Sequence, residues 1–333
     1  MEDSANSVSK IKPKDLKVGM YVMLPSSWFK HPFLKNQFVI ASEKEIEKII
    51  SSGFNLVLVD YSKSMIEKAQ KSQPEQSEQK TAKIWKPEEI VPTELLNAVR
   101  SKDMPPKNKA VAVKNSSLVL MNRLLEDPSA ANIKSAKQGI FEVVDCIMSE
   151  DEMSRHLLSI TSHDVYTYTH SVNVGFLSIL LAKHIFKGSI IHNMRELGAG
   201  FFLHDLGKVN IDTDIINKPG KLDLEELSLI RRHPVEGAKM LAKTHQLSEE
   251  ANIIVMQHHE REDGTGYPNE LKGKQIHLYA RICSIADVYD ALTSERSYKK
   301  KLSPFEALSL MRNEMINHFQ KDIFERFALL FVK

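Results

Sequence analysis

From about Asp151 to Phe331 the sequence reads as nearly continuous helix, and histidines and aspartates sit on the apolar side of those helices. After Asp164, the residues His170, Val174, Leu177 and Leu181 recur at i, i+4, i+7 and i+11, which is one stripe of a helix. Leu197, Gly200 and Phe201 lead to His204 on a second stripe, and Asp205 follows it. A helix that begins at Asp223, with Glu226 three residues on as part of its cap, runs to His233-Pro234. Another, capped by Ser248, runs through Ile253, Ile254 and Val255 to His258-His259. Ala280, Ser284, Asp287 and Ala291 share a last stripe. Strand-like alternation is absent, and glycine and proline fall mostly between periodic segments, so this half is expected to be all-helical.

Taken singly, an inward histidine is ordinarily a hydrogen-bonded core residue, and Asp287 could pair with Arg281. A buried carboxylate without a partner is costly, however, and a metal cation is an efficient partner. His170, His204, Asp205, His233, His258, His259 and Asp287 together point to shared metal binding. A mixed histidine and aspartate set suits iron or manganese better than a thiolate-rich zinc site would. Lys208, three residues after Asp205, can hold a phosphate. The segment Asp263-Gly264-Thr265-Gly266-Tyr267-Pro268 alone would read as an ordinary surface turn. Beside His258-His259 it reads as a ligand loop: two glycines permit tight turns, and Pro268 keeps Tyr267 extended.

The remainder is organised differently. Residues 1–10 are expected to be a frayed start. Residues 11–62 read as a small α+β module, with strands near Tyr21–Leu24, Gln37–Ile40 and Asn55–Asp60. Its helix starts at Ser42, with Glu45 in capping-box position. Trp28, Phe29, His31, Pro32 and Phe33 cluster in its middle as a small core or docking face. Residues 63–95 are rich in lysine, glutamine and glutamate and are expected to be a linker; 96–150 are connecting helices; 151–333 are the catalytic domain. Lys+Arg 45 against Asp+Glu 43 leaves a net charge of +2, which argues against binding a DNA or RNA polymer. No apolar run approaches ~18 residues, so membrane insertion is not expected. Two cysteines, Cys146 and Cys283, and no secretory leader fit a cytoplasmic protein.

The text "HDLGK" at 204–208, "HP" at 233–234, "HHE" at 258–260, "DGTGYP" at 263–268 and "ADVYDALTSERSYK" at 286–299 resembles the HD superfamily of metal-dependent phosphohydrolases. It is most similar to the HD-GYP branch, the bacterial cyclic-dinucleotide phosphodiesterases. The first module is similar to the small domain that often precedes such units. The resemblance implies an all-helical catalytic domain with a binuclear or trinuclear centre of iron or manganese. It implies His170, His204, Asp205, His233, His258, His259 and Asp287 as ligands, with Asp205 bridging. Catalysis is expected to fall on His204, Asp205 and Lys208, and substrate contacts on Asp164, Lys208, Tyr267, Arg296 and Lys299. Family members with a third metal carry a glutamate four residues before the first histidine; Tyr166 stands there, so two divalent transition metals are expected. The implied activity is hydrolysis of cyclic di-GMP to the linear dinucleotide, with GMP as a conceivable further product. Cyclic GMP-AMP is the alternative substrate, and a silent binding scaffold or a di-iron oxygenase are alternatives of other classes. The N-terminal module is the expected contact for a signalling partner or a second copy of the chain.

Overall fold

The structure, a computed structural model, describes residues 8–24, 37–51, 56–64, 84–161, 169–216, 218, 220–294 and 301–332. The chain divides into two units, 1–81 and 82–333, each around its own apolar core.

In the first unit, β1 (Val8–Ile11), β2 (Tyr21–Met23), β3 (Gln37–Val39) and β4 (Val57–Asp60) form an antiparallel sheet ordered β1-β4-β2-β3. Helix α1 (Glu43–Ser51) lies between β3 and β4 in sequence. Alternation sets the buried face: Val22, Val57 and Val59 pack with Ile46 and Ile49 of α1, while Leu58 is exposed. β1 corrects the expectation of a frayed start through residue 10. It pairs with β4 from Val8 opposite Asp60 to Ile11 opposite Val57. Ser9 and Lys10 hide it from a pattern reading, because what holds it is a backbone ladder to a distant strand. Glu45 turns back at the start of α1 as expected, but its carboxylate accepts from the N–H of Ala41 at 2.6 Å. The cluster from Trp28 to Phe33 lies outside the described residues.

The second unit is helical. It begins with α2 (Pro87–Ile90), α3 (Thr93–Arg100), α4 (Pro106–Glu126), α5 (Ala130–Ser149) and α6 (Asp151–Thr161). Next come α7 (Thr169–Ile185), α8 (Met194–Phe202), α9 (Thr213–Ile216), α10 (Leu224–Ile230) and α11 (His233–Thr244). The chain closes with α12 (Glu249–Gln257), α13 (Leu278–Thr293), α14 (Pro304–Glu314) and α15 (Lys321–Leu329). The expected caps form: Asp223 accepts from the N–H of Glu226 and Glu226 from that of Asp223, each at 2.9 Å, and Ser248 accepts from Ala251 at 3.2 Å.

α7 is apolar nearly all round and is the axis of the unit, with Val172, Val174, Phe176, Leu177, Ile179 and Leu181 buried. α8 and α13 pack directly on it. Phe176 meets Phe202 edge to face at 5.4 Å, a contact that adds about 0.5–1.5 kcal/mol to area burial.

One domain expectation shifts. Residues 84–95, which composition places in the linker, belong to the helical unit. Trp85 donates its indole N–H to Glu126 at 2.8 Å, its backbone N–H reaches Asp127 at 3.0 Å, and Ile90 is fully buried. One aromatic anchor and one buried isoleucine outweigh a polar composition. The helices up to residue 150 also share one core with the later ones: Ile140, Val143 and Val144 of α5 belong to the same cluster as Phe201 of α8. No helix among the described residues is long and apolar enough to cross a membrane. Cys146 and Cys283 are buried free thiols.

Candidate metal centre

Five elements deliver the candidate donors. His170 lies in the first turn of α7. His204 and Asp205 occupy the turn between α8 and a 3₁₀ turn at Leu206–Asn210. His233 opens α11, His258 and His259 close α12, and Asp287 lies on α13. His204, His233 and His258 are fully buried.

The orientation of three imidazoles arises from a property of helix ends. The last carbonyls of a helix have no intrahelical partner. The carbonyls of Phe201, Ile230 and Val255 are at such ends, and they accept from Nδ1 of His204, His233 and His258 at 2.8, 2.7 and 2.8 Å. A carbonyl only accepts, so Nδ1 carries the proton and Nε2 carries the lone pair. His170 is fixed by a carboxylate instead: Nδ1 donates to Asp290 at 2.7 Å, and Asp290 also accepts from Asn173 at 2.8 Å.

The freed nitrogens converge on Asp205 in two groups, Asp205 with His233, His258 and His259, and Asp205 with His170 and His204. Its Oδ1 lies 3.1 Å from Nε2 of His233 and 3.8 Å from that of His258. Its Oδ2 lies 3.5 Å from Nε2 of both His170 and His204. Asp287 spans the groups from another side, 3.0 Å from His170 and 3.4 Å from His259. Lys208 places its ammonium 2.5 Å from Oδ2 of Asp205.

The fit to cations can be tested on this geometry. Nε2 of His204 and Oδ1 of Asp205 are buried without a hydrogen-bond partner. Nε2 of His233 and of His258 stand 3.1 Å apart although both Nδ1 atoms already hold the proton. Two facing lone pairs repel, whereas nitrogens bound at about 2.1 Å to one ion stand about this far apart. The donors therefore fit a binuclear divalent-metal centre.

Protonation agrees. Burial lowers the pKa of His204 and of His258, and takes that of His259 down to about 3, so these rings are neutral at pH 7. Burial also acts on the carboxylates, but for Asp205 the charge of Lys208 outweighs it, and for Asp287 the bond from His170 does; both are held below the usual range. Burial opposes the charge of His170, yet Asp287 and Asp290 raise its pKa to about 9.

These shifts set a pH dependence for metal-stripped protein. His258 and His259 titrate lower folded than the ~6.5 of the unfolded chain, so the unfolded state binds more protons below that value and stability falls with acid. His170 titrates higher folded, so its contribution is complete below ~6.5 and lost as pH rises through about 9. Thermal melts of chelator-treated protein are expected to be highest near pH 6.5–7 and lower at pH 5 and pH 9. A melting temperature flat across that range would contradict the assignment.

The loop after His259 closes the site. Glu260 is buried, and its carboxylate accepts from the N–H groups of Asn269 at 2.7 Å and Leu271 at 2.9 Å. The N–H of Tyr267 donates to the carbonyl of His259 at 3.2 Å, and the Tyr267 ring stacks on His259 at 4.7 Å. Of the two glycines, Gly264 has φ +83°, while Gly266 is required by proximity. A Cβ there would stand 2.4 Å from the nitrogen of Arg261 and 2.6 Å from the carbonyl oxygen of His259.

All seven expected donors and Lys208 and Tyr267 thus meet at one place. Asp164, Tyr166, Arg296 and Lys299 lie outside the described residues. Sequence reading missed Asp290 and the structural use of Glu260. A signal for the first existed: Asp290 lies three residues after Asp287, and Asn173 three after His170, so both pairs share a helix face. Asp290→Asn would keep the shape but weaken the acceptor for His170. Metal affinity is expected to fall about 10–100-fold, measured by chelator competition. Unchanged affinity would leave Asp290 with a packing role only.

Fold and site define a metal-dependent phosphohydrolase of the HD type. Comparison with known proteins agrees: residues 192–323 match the HD domain family, and 8–149 match a domain of unknown function, DUF3391. The chain is 32% identical over 323 residues to the cyclic di-GMP phosphodiesterase PA4108 of Pseudomonas aeruginosa, covering 96% of this chain and 76% of that protein. It is 40% identical over 124 residues to the 3'3'-cGAMP-specific phosphodiesterase 2 of Vibrio cholerae, which is 37% of this chain and 24% of that one. Among solved structures, Bd1817, a HDG"Y"P protein from Bdellovibrio bacteriovorus, shares the fold with a TM-score of 0.59 at 17% identity, over 97% of this chain and 99% of that one. The chain belongs to the HD-GYP family of cyclic-dinucleotide phosphodiesterases, with a DUF3391 module at its N-terminus.

Proposed function

We propose that the chain hydrolyses the phosphodiester bonds of cyclic di-GMP, opening the ring to the linear dinucleotide. The observation that carries the reaction class is Asp205, whose two oxygens each face a different set of histidines. The substrate rests on the near-full-length similarity to the Pseudomonas aeruginosa enzyme. His170, His204, Asp205 and Asp287 would hold one metal, and Asp205, His233, His258 and His259 the other. Imidazole and carboxylate donors favour iron or manganese. When bound, such a pair lowers the pKa of water to supply hydroxide and polarises phosphoryl oxygens.

The chain's own groups do the rest. Lys208, whose ammonium already stands at Asp205, takes a non-bridging oxygen of the scissile phosphate. Burial raises the pKa of Tyr267, so its hydroxyl stays protonated and donates to an anion. Asp164, Arg296 and Lys299 are assigned to substrate contacts on the family pattern. The buried free thiols support a reducing, cytoplasmic setting.

Purified protein loaded with iron or manganese, incubated with cyclic di-GMP and with cyclic GMP-AMP in air and anaerobically, tests the reading. Linear dinucleotide from cyclic di-GMP, independent of oxygen, is the expected product. Preferential loss of cyclic GMP-AMP would move the substrate. No product under reducing, metal-replete conditions would remove the hydrolase, and an oxygen-dependent product would indicate oxygenase chemistry.

A further inference from the structure

Arg231 is an exposed arginine at the rim of the metal centre that no step of the hydrolysis uses. Its backbone is fixed: it caps α10, and its N–H donates to the carbonyl of Leu227 at 3.0 Å. Its position is tied to the donors, because the preceding carbonyl, that of Ile230, is the one that locks His233. The guanidinium lies over the ring of Tyr267, with Cζ 5.4 Å from the centroid, and that ring stacks in turn on His259. Two acids of the same segment are engaged elsewhere. Glu226 pairs with Lys218 at 2.6 Å, and Asp223 caps α10. Among the described residues no carboxylate pairs with Arg231. A guanidinium presents a planar fork of donors that matches a pair of acceptors, and it is held here within a short reach of where an anionic substrate must lie.

The geometry points to Arg231 as a substrate-binding residue. It receives a two-acceptor edge of the cyclic dinucleotide other than the reacting phosphate. Two parts of such a ligand offer that edge, the second phosphate and the O6/N7 edge of a guanine. The inference rests on the cyclic-dinucleotide reading and specifies how that site grips its substrate.

The test compares metal-loaded wild type with Arg231→Gln, Arg231→Lys and Arg232→Gln. Arg232 shares the turn and the charge, but it has no contact with the Tyr267 ring among the described residues. Bis(p-nitrophenyl) phosphate serves as a substrate with one phosphate and no base. Arg231→Gln is expected to raise KM for cyclic di-GMP roughly tenfold or more, the scale of a lost charge-assisted pair of bonds. Metal content and kinetics on bis(p-nitrophenyl) phosphate should stay the same, and Arg232→Gln should behave as wild type. Lysine keeps a cation over the ring but not the fork, so Arg231→Lys should not rescue; rescue by lysine would reduce Arg231 to a support for Tyr267. Cyclic di-AMP as a competitor separates the two edges. Weaker inhibition in Arg231→Gln assigns the phosphate, and unchanged inhibition assigns the guanine. An unchanged KM, an equal loss on bis(p-nitrophenyl) phosphate or an equal loss in Arg232→Gln would overturn the inference. A wild type that cleaves bis(p-nitrophenyl) phosphate but not cyclic di-GMP would instead refute the substrate reading, and the inference with it.

Discussion

Replacing His204 and Asp205 together with alanine is expected to lower phosphodiester hydrolysis by about 10³-fold or more while the far-ultraviolet helical spectrum stays largely intact. The size reflects what Asp205 touches. One oxygen faces His233 at 3.1 Å and the other faces His170 and His204 at 3.5 Å, so its loss removes a donor from both groups at once. It also removes the counter-charge of Lys208. Loss of His204 then leaves the His170 side with only His170 and Asp287. The helices themselves depend on the apolar faces of α7, α8 and α12 and not on these two side chains. Metal analysis should accompany the rates: bound metal falling well below two per chain with the spectrum retained is the expected pair of results. Turnover near the wild-type rate would refute the assigned role of both residues.

Gly207→Ala is expected to have the largest effect on stability of any single methyl addition near the site. A Cβ at Gly207 would stand 2.0 Å from the carbonyl oxygen of His233 and 2.5 Å from the backbone nitrogen of Gly237. Both neighbours are backbone, so no side chain can rotate away. The turn after Asp205 and the first turns of α11 must part, and the cost is about 3 kcal/mol or more. The same movement pulls His233 from Asp205. Denaturant unfolding should show the loss, and any folded fraction should bind less metal on the His233 side. A variant with wild-type midpoint and metal content would mean that the close approach is not obligatory.

The candidate donors were legible because each lies on a strongly periodic helix or just past the end of one, and the spacing of that helix decides which side faces in. His170 with Val174, Leu177 and Leu181 is the clearest case. What escaped was of two kinds. Asp290 meets His170 across 120 positions of sequence, and no local pattern encodes such a meeting. The bonds to the carbonyls of Phe201, Ile230 and Val255 involve backbone, which has no letter to read. The fold shows the same division. The helical half was readable from its period, whereas β1 is four residues of mixed polarity that exist as a strand only because β4 is beside them. Trp85 and Ile90 were overlooked for a third reason: composition averaged over the expected linker hid two side chains that anchor its end.

The bonds from Nδ1 to the helix-end carbonyls have a thermodynamic consequence. A ring tied at one nitrogen can neither rotate freely nor exchange tautomers, so His204, His233 and His258 offer Nε2 alone to an arriving cation. The rotamer entropy of those side chains is given up when the chain folds, not when the ion arrives. Binding then proceeds with little reorganisation, and the affinity of the centre is set by the ion and its water far more than by the ordering of its ligands.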